Sequence, residues 1–317
     1  MPASGSREPI PAAPARSLLS KGSTVATLSQ WVQGARPRTL PAAIAPVAAG
    51  TGAAIWDAGF DAGIVIPRAL LALGVSLALQ IGVNFANDYS DGIRGTDDDR
   101  VGPFRLTGSK AASPAAVKRA AIGSLAVGGL LGLILIAIAG IWWTLIVGAA
   151  AIAAAWFYTG GKKPYGYLGL GELMVLVFFG LVAVNGTAYA ITGRITWVSV
   201  LASLAIGLLA VAIMLTNNLR DLPKDALVGK NTLPVRLGDR GTRLLYAACV
   251  LVPFVLALVI AVVQWPVLIV LLALPLAIIP LRIVRGGAQG LELIPVLGAT
   301  GRLELVYSLL LLIGLTV

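Results

Sequence analysis

The sequence has no histidine and a single cysteine, Cys249, and only 12% of its 317 residues carry charge. Each shortage excludes something. Without imidazole there is no histidine acid–base pair and no histidine metal ligand, so a bound metal must be held mainly by oxygen, which points to magnesium, manganese or calcium. One cysteine permits no intrachain disulfide. A charged fraction well below the ~25% of a soluble domain, beside 58% hydrophobic residues, excludes an ordinary soluble fold.

The apolar residues come in runs of about 20, the length of helix that crosses a bilayer core. They place spans near 39–56, 67–90, 115–138, 141–159, 168–191, 196–219, 243–263, 266–283 and 297–317. The expected fold is therefore all-α, a polytopic membrane helix bundle of about nine transmembrane helices. Residues 1–28 are rich in Pro, Ala, Ser and Gly and lack an apolar run. They read as a disordered cytoplasmic tail and not as a signal peptide, which leaves 29–317 as one transmembrane domain. Trp31 suits an anchor at headgroup level.

Net charge is +10. With the N-terminus in the cytoplasm, all of the 24 Lys and Arg except Arg68 and Arg194 fall on the inner side. This is the positive-inside bias, and it accounts for the basicity without nucleic acid, for which no basic and aromatic stacking segment is present. The partner that the charge implies is the anionic bilayer surface.

Carboxylates are few, yet they gather at two places. The first is Asn84-Phe-Ala-Asn87-Asp88-Tyr-Ser-Asp91, whose positions 84, 87, 88 and 91 share one helix face. The second is Asn217-Asn218-Leu-Arg220-Asp221-Leu-Pro-Lys-Asp225, where Asn218, Asp221 and Asp225 do the same and Pro223 is expected to mark or kink the helix end. Each follows the corresponding span, the second and the sixth, and opens a long inner loop. Spans one to four and five to eight thus read as two parallel halves. An aspartate at membrane depth costs roughly 2.5–3.5 kcal/mol. Two facing acidic sets would repel unless cations join them, and magnesium shared with a diphosphate answers that need. Helix capping and loop solvation are the plainer explanation for any single pair. The run Asp97-Asp98-Asp99 is explained equally by solvation. Arg38, Arg94, Arg105, Lys162, Lys163, Lys224, Lys230 and Arg236 lie on the same side, where they suit either phosphate contact or the positive-inside bias.

Four stretches carry a resemblance. They are Arg36-Pro-Arg-Thr-Leu-Pro41, Asn87-Asp-Tyr-Ser-Asp-Gly-Ile-Arg-Gly-Thr-Asp97, Tyr158-Thr-Gly-Gly-Lys-Lys-Pro-Tyr-Gly-Tyr-Leu-Gly-Leu-Gly-Glu172, and the segment from Asn217 to Gly238 with its Lys230-Asn-Thr-Leu233 run. Together they are similar to the UbiA superfamily of intramembrane aromatic prenyltransferases, over roughly residues 30–317. One position departs: Gly95 stands where many members have a third aspartate, with Asp97 two residues further on.

The resemblance implies a nine-helix enzyme of the bacterial cell (inner) membrane with its active site facing the cytoplasm. It implies magnesium as cofactor, and a polyprenyl diphosphate and 1,4-dihydroxy-2-naphthoate as substrates, as in the menaquinone branch. Other acceptors in the superfamily include 4-hydroxybenzoate and homogentisate. A transporter with an acidic ion pathway is the reading of a different class, and no obligate protein partner is implied. On this resemblance Asp88, Asp91, Asp221 and Asp225, with Asn84 and Asn218, hold metal. Arg38, Asn87, Arg94, Lys162 and Lys230 join in substrate binding, Tyr158 faces the allylic cation, and Glu172 orients the acceptor or takes a hydroxyl proton.

Overall fold

The computed structural model describes residues 26–94 and 104–317. Residues 1–25 of the expected tail and the Asp97–Asp99 run lie outside the described residues. Among the described residues all regular structure is helical.

The chain begins with α1 (Leu28–Gly34) and a 3₁₀ turn (Pro37–Thr39), which lead into α2 (Pro41–Ala58). Then come α3 (Ala62–Ile93), α4 (Pro114–Ala139) and α5 (Leu145–Phe157). The next span is composite: α6 (Gly171–Val175), a π-helical stretch (Leu176–Val182) and α7 (Ala183–Thr192). It is followed by α8 (Trp197–Leu227), α9 (Leu233–Ala261), α10 (Leu274–Arg285) and α11 (Ile294–Thr316). Local chemistry sets many of the ends. Thr27, Asp61, Ser113 and Thr196 cap N-termini with side-chain oxygens, while Gly140 and Gly193 end α4 and α7 in the left-handed region.

Among the described residues, seven helices are long and apolar enough to cross a membrane, and the pair Leu28–Thr39 and Pro41–Ala58, bent by 48°, makes an eighth. The fourth expected span exists as the apolar helix Trp142–Phe157, but it is shorter than the others. The protein is thus a multi-pass helical membrane protein. One expectation needs correction. Pro223 does not end its helix, because α8 runs through it to Leu227. The next turns are closed by Val228 N–H to the Lys224 carbonyl at 3.1 Å and Lys230 N–H to the Asp225 carbonyl at 2.9 Å. Trp31 packs edge-on against Phe85 at 5.7 Å.

The two acid-bearing helices, α3 and α8, are the longest, at 32 and 31 residues. Each packs most extensively on the helix that follows it, α4 and α9 respectively, while α2 joins the halves by packing on α7, α8 and α11. Lipid is as apolar as leucine, so close backbone approach must supply the contact. Glycine permits it: a Cβ at Gly50 of α2 would lie 2.4 Å from the Val184 carbonyl oxygen, and one at Gly180 would lie 2.6 Å from that of Ser203.

Both cations expected on the outer face hold structure. Arg68 donates to the carbonyls of Ala190 (2.9 Å), Ile191 (3.0 Å) and Ile138 (3.3 Å), which joins the ends of α7 and α4 to α3. Arg194 Nε lies 3.1 Å from Asp57 Oδ2. Arg68→Ala removes three charge-assisted bonds, and a loss of about 1–3 kcal/mol is expected. It should appear as a lower thermal midpoint in detergent with catalytic rates little changed. An unchanged midpoint would refute the clamp.

Candidate active site at the ends of α3 and α8

The first motif occupies the last turns of α3, where Asn84, Asp88 and Asp91 are all buried. They do different things. Asn84 donates its amide to the Ala35 carbonyl and the Thr39 hydroxyl, both at 2.9 Å, and so ties the bend between α1 and α2 to α3. Asp88 accepts the backbone N–H groups of Leu106 (2.6 Å) and Thr107 (2.9 Å) and anchors the segment that leads into α4. Asp91 is met by side chains: the Tyr167 hydroxyl donates to Oδ1 at 2.9 Å, and Arg105 Nη2 lies 3.5 Å from Oδ2. Asn87 accepts from the Thr159 hydroxyl at 2.8 Å.

The second motif occupies the end of α8. Arg220 grips Asp221 through Nε to Oδ1 at 2.7 Å and Nη2 to Oδ2 at 2.6 Å, and its own side chain is only 2% exposed. Asp225 is buried, with Oδ1 4.0 Å from Lys230 Nζ. Asn218 donates to Glu172 Oε1 at 2.8 Å and joins α8 to α6. Glu172 is buried too, and its Oε2 meets no hydrogen-bond partner among the described residues.

Between the motifs lies the segment from Tyr158 to Leu170, built around a 3₁₀ turn at Tyr165–Leu168. Arg94 donates to the carbonyls of Thr159 and Gly161 there. Tyr158 stands edge-on to Tyr165 at 5.6 Å, with its hydroxyl 3.4 Å from Met214 Sδ. Burial pushes the Tyr165 phenol up to about 12. Burial first, and the Asp91 charge second, also raise the Tyr167 phenol above its ordinary value. Both therefore remain neutral donors near neutrality. Arg38 and Lys162 are exposed.

The expected residues thus fall into linked groups. Asp91 is joined to Asp225 through Tyr167 and Lys230, with the Lys230 ammonium 4.4 Å from the Tyr167 ring centre. Asn218 and Glu172 form a second group. Tyr167 and Arg220 were not expected in these roles. Neighbouring helix positions do not normally face each other, so the Arg220–Asp221 grip leaves no spacing signal. Tyr167 meets Asp91 across 76 positions of chain. Among the described residues no three acidic side chains gather closely enough to enclose a metal unaided.

An all-helical membrane bundle with two acidic, cation-flanked helix ends defines a polytopic membrane protein with a polar site at one end. The chain belongs to the UbiA prenyltransferase family, whose match spans residues 43–288. It is 54% identical over 285 residues to the 1,4-dihydroxy-2-naphthoate octaprenyltransferase of Mycobacterium tuberculosis, covering 90% of this chain and 96% of that protein. It is 38% identical over 298 residues to the protein of the same name from Escherichia coli, covering 90% and 94%. Among solved structures, it shares the fold of a UbiA homolog from Archaeoglobus fulgidus bound to GPP and Mg2+. There the TM-score is 0.60 at 16% identity, over 89% of this chain and 99% of that one.

Proposed function

We propose that this protein transfers a polyprenyl group from polyprenyl diphosphate to 1,4-dihydroxy-2-naphthoate. Diphosphate and carbon dioxide are released and demethylmenaquinol is formed. The observation that carries this reading is the linkage of the two acidic motifs into one polar assembly through Tyr167 and Lys230. The high identity to relatives named as naphthoate octaprenyltransferases supports the choice of acceptor.

Magnesium fits the donor set. The motifs offer oxygen only, and they offer carboxylates in small numbers, not as a closed cage. That suits an ion which completes its shell with water and substrate phosphate. Asp91 in the first motif, and Asp221 and Asp225 in the second, would offer carboxylate oxygen to separate magnesium ions, with Asp88 and Asn84 keeping the surrounding backbone in place. When bound, magnesium would neutralise charge on the departing diphosphate. Lys230, Arg105 and Arg220 already lie beside these carboxylates and supply further positive charge.

The chain's remaining residues serve the acceptor. The bond from the allylic carbon to the diphosphate breaks with its electron pair on oxygen. The ring carbon bearing the carboxylate then bonds to that allylic carbon, and carbon dioxide leaves its electron pair to the ring. Glu172, steadied by Asn218, has its Oε2 open to accept a hydrogen bond from a ring hydroxyl, which raises the ring's electron density. Tyr158 and Tyr165 offer aromatic faces to a passing cation, and the surrounding apolar helices keep out water that would quench it. The basic loops that bear the site support a cytoplasmic orientation for it.

Purified protein in lipid vesicles should form demethylmenaquinol from dihydroxynaphthoate and a long prenyl diphosphate, and should stop when magnesium is chelated. Prenylation of 4-hydroxybenzoate in place of dihydroxynaphthoate would overturn the acceptor assignment.

A further inference from the structure

Tyr167 is held from both sides of the site. Its own carbonyl accepts the Asn231 N–H at 3.0 Å, and the next carbonyl, that of Leu168, accepts from Arg236 Nη2 at 2.8 Å. Both donors belong to the segment that follows the second acidic motif. The phenol hydroxyl reaches the other way, to Asp91 Oδ1 of the first motif, at 2.9 Å. Lys230 Nζ is 4.4 Å from the ring centre and Arg94 Cζ is 5.6 Å from it. Cations over an aromatic face are attracted by its quadrupole, so the ring plane is fixed as well as its ends.

A phenol in this setting has one hydrogen to give, and it gives it to a carboxylate oxygen. That bond fixes which lone pairs of Asp91 remain for another ligand. A carboxylate that binds metal is usually oriented in this way, and removing the orienting group typically weakens metal affinity about 10–100-fold. We propose that Tyr167 is a positioning residue: it orients Asp91 for a divalent cation and, through its anchorage beside Lys230 and Asn231, sets the first acidic motif in register with the second. This rests on the magnesium reading above, and it adds to that reading a residue that acts through Asp91.

The test is a titration of the purified full-length protein with Mn2+, followed by electron paramagnetic resonance, in the presence of inorganic diphosphate. Tyr167→Phe keeps the ring, the flanking cations and the backbone bonds and loses only the hydroxyl. It is expected to raise the Mn2+ dissociation constant about tenfold in protein that is still folded at the assay temperature. In turnover assays the magnesium needed for half-maximal rate should rise in step, with KM for the aromatic acceptor unmoved.

Wild-type Mn2+ affinity in Tyr167→Phe would overturn the proposal while leaving the metal assignment intact. Failure of the wild-type protein itself to bind Mn2+ would sink the metal assignment, and this proposal with it. Should Tyr167→Phe not purify as a folded protein, Arg236→Met removes the donor to the Leu168 carbonyl that anchors the Tyr167 turn and leaves the phenol, Asp91 and Asp225 in place. In a titration without diphosphate it is expected to raise the Mn2+ constant about threefold, the scale of one lost hydrogen bond, and unchanged affinity in it overturns the proposal equally.

Discussion

Asp221→Asn is expected to cut prenyl transfer about 10³-fold, the upper end of the scale on which loss of one preorganised electrostatic contact is felt. Under the proposed function Asp221 is a metal-holding carboxylate, and an amide supplies neither the charge nor the second anionic oxygen. The substitution has a side effect that must be separated out. Arg220 lies 2% exposed against Asp221 and would be left as a buried, under-compensated cation, which destabilises. Asp225→Asn is the cleaner partner experiment, since it leaves the buried Arg220–Asp221 pair intact. Both variants should insert in membranes, and both should be inactive in vesicle assays with saturating magnesium. Full turnover in either purified variant refutes the assignment.

Asp88→Asn tests a different property of the same motif. The Asp88 carboxylate accepts two backbone N–H groups, from Leu106 and Thr107. An asparagine turns one of those acceptors into a donor facing a donor. Its loss of activity should therefore come with a lower thermal midpoint, whereas Asp225→Asn should lose activity with a smaller fall in midpoint. The pair of readouts separates loop anchoring from metal binding.

The second large effect is expected at Glu172. Glu172→Gln keeps the size of the side chain and can keep the bond to Asn218, but it replaces a carboxylate with a neutral amide at the open oxygen. If that oxygen takes a hydrogen bond from the acceptor hydroxyl, kcat should fall about 10²-fold, within the range attributed to positioned acid–base groups. KM for the prenyl diphosphate should stay constant, because the acidic motifs are untouched. Steady-state rates against both substrates give the answer. A variant that loses affinity for the prenyl diphosphate, with kcat intact, would remove Glu172 from the acceptor side.

The apolar runs made most of the architecture readable. Eight of the nine expected spans correspond to helices or helix pairs that meet the length of a bilayer, and the fourth survives as the shorter helix Trp142–Phe157. The two acidic faces were readable for the same reason: i, i+3, i+4 spacing survives folding because α3 and α8 continue to Ile93 and Leu227. What each acid bonds to was not readable. Asp88 meets backbone N–H groups and Asp91 meets a phenol, and helical spacing treats the two alike. Asn84 shares the acidic face, yet its amide holds the bend before α2. These distinctions depend on contacts between segments far apart in the chain, which no local period encodes.

The π-helical stretch at Leu176–Val182 has a consequence of its own. A helical residue turns the chain by about 100°, and a π turn takes in one more residue than an α turn. Upstream of it, Glu172 meets Asn218 of α8; downstream, Val184 and Thr187 seat Gly50 of α2. One continuous span thus serves two neighbours that an unbroken α-helix of this length would present out of phase. The widened turn acts as a phase shifter, and a one-residue deletion there would swing either Glu172 or the seam with α2 by more than a quarter turn.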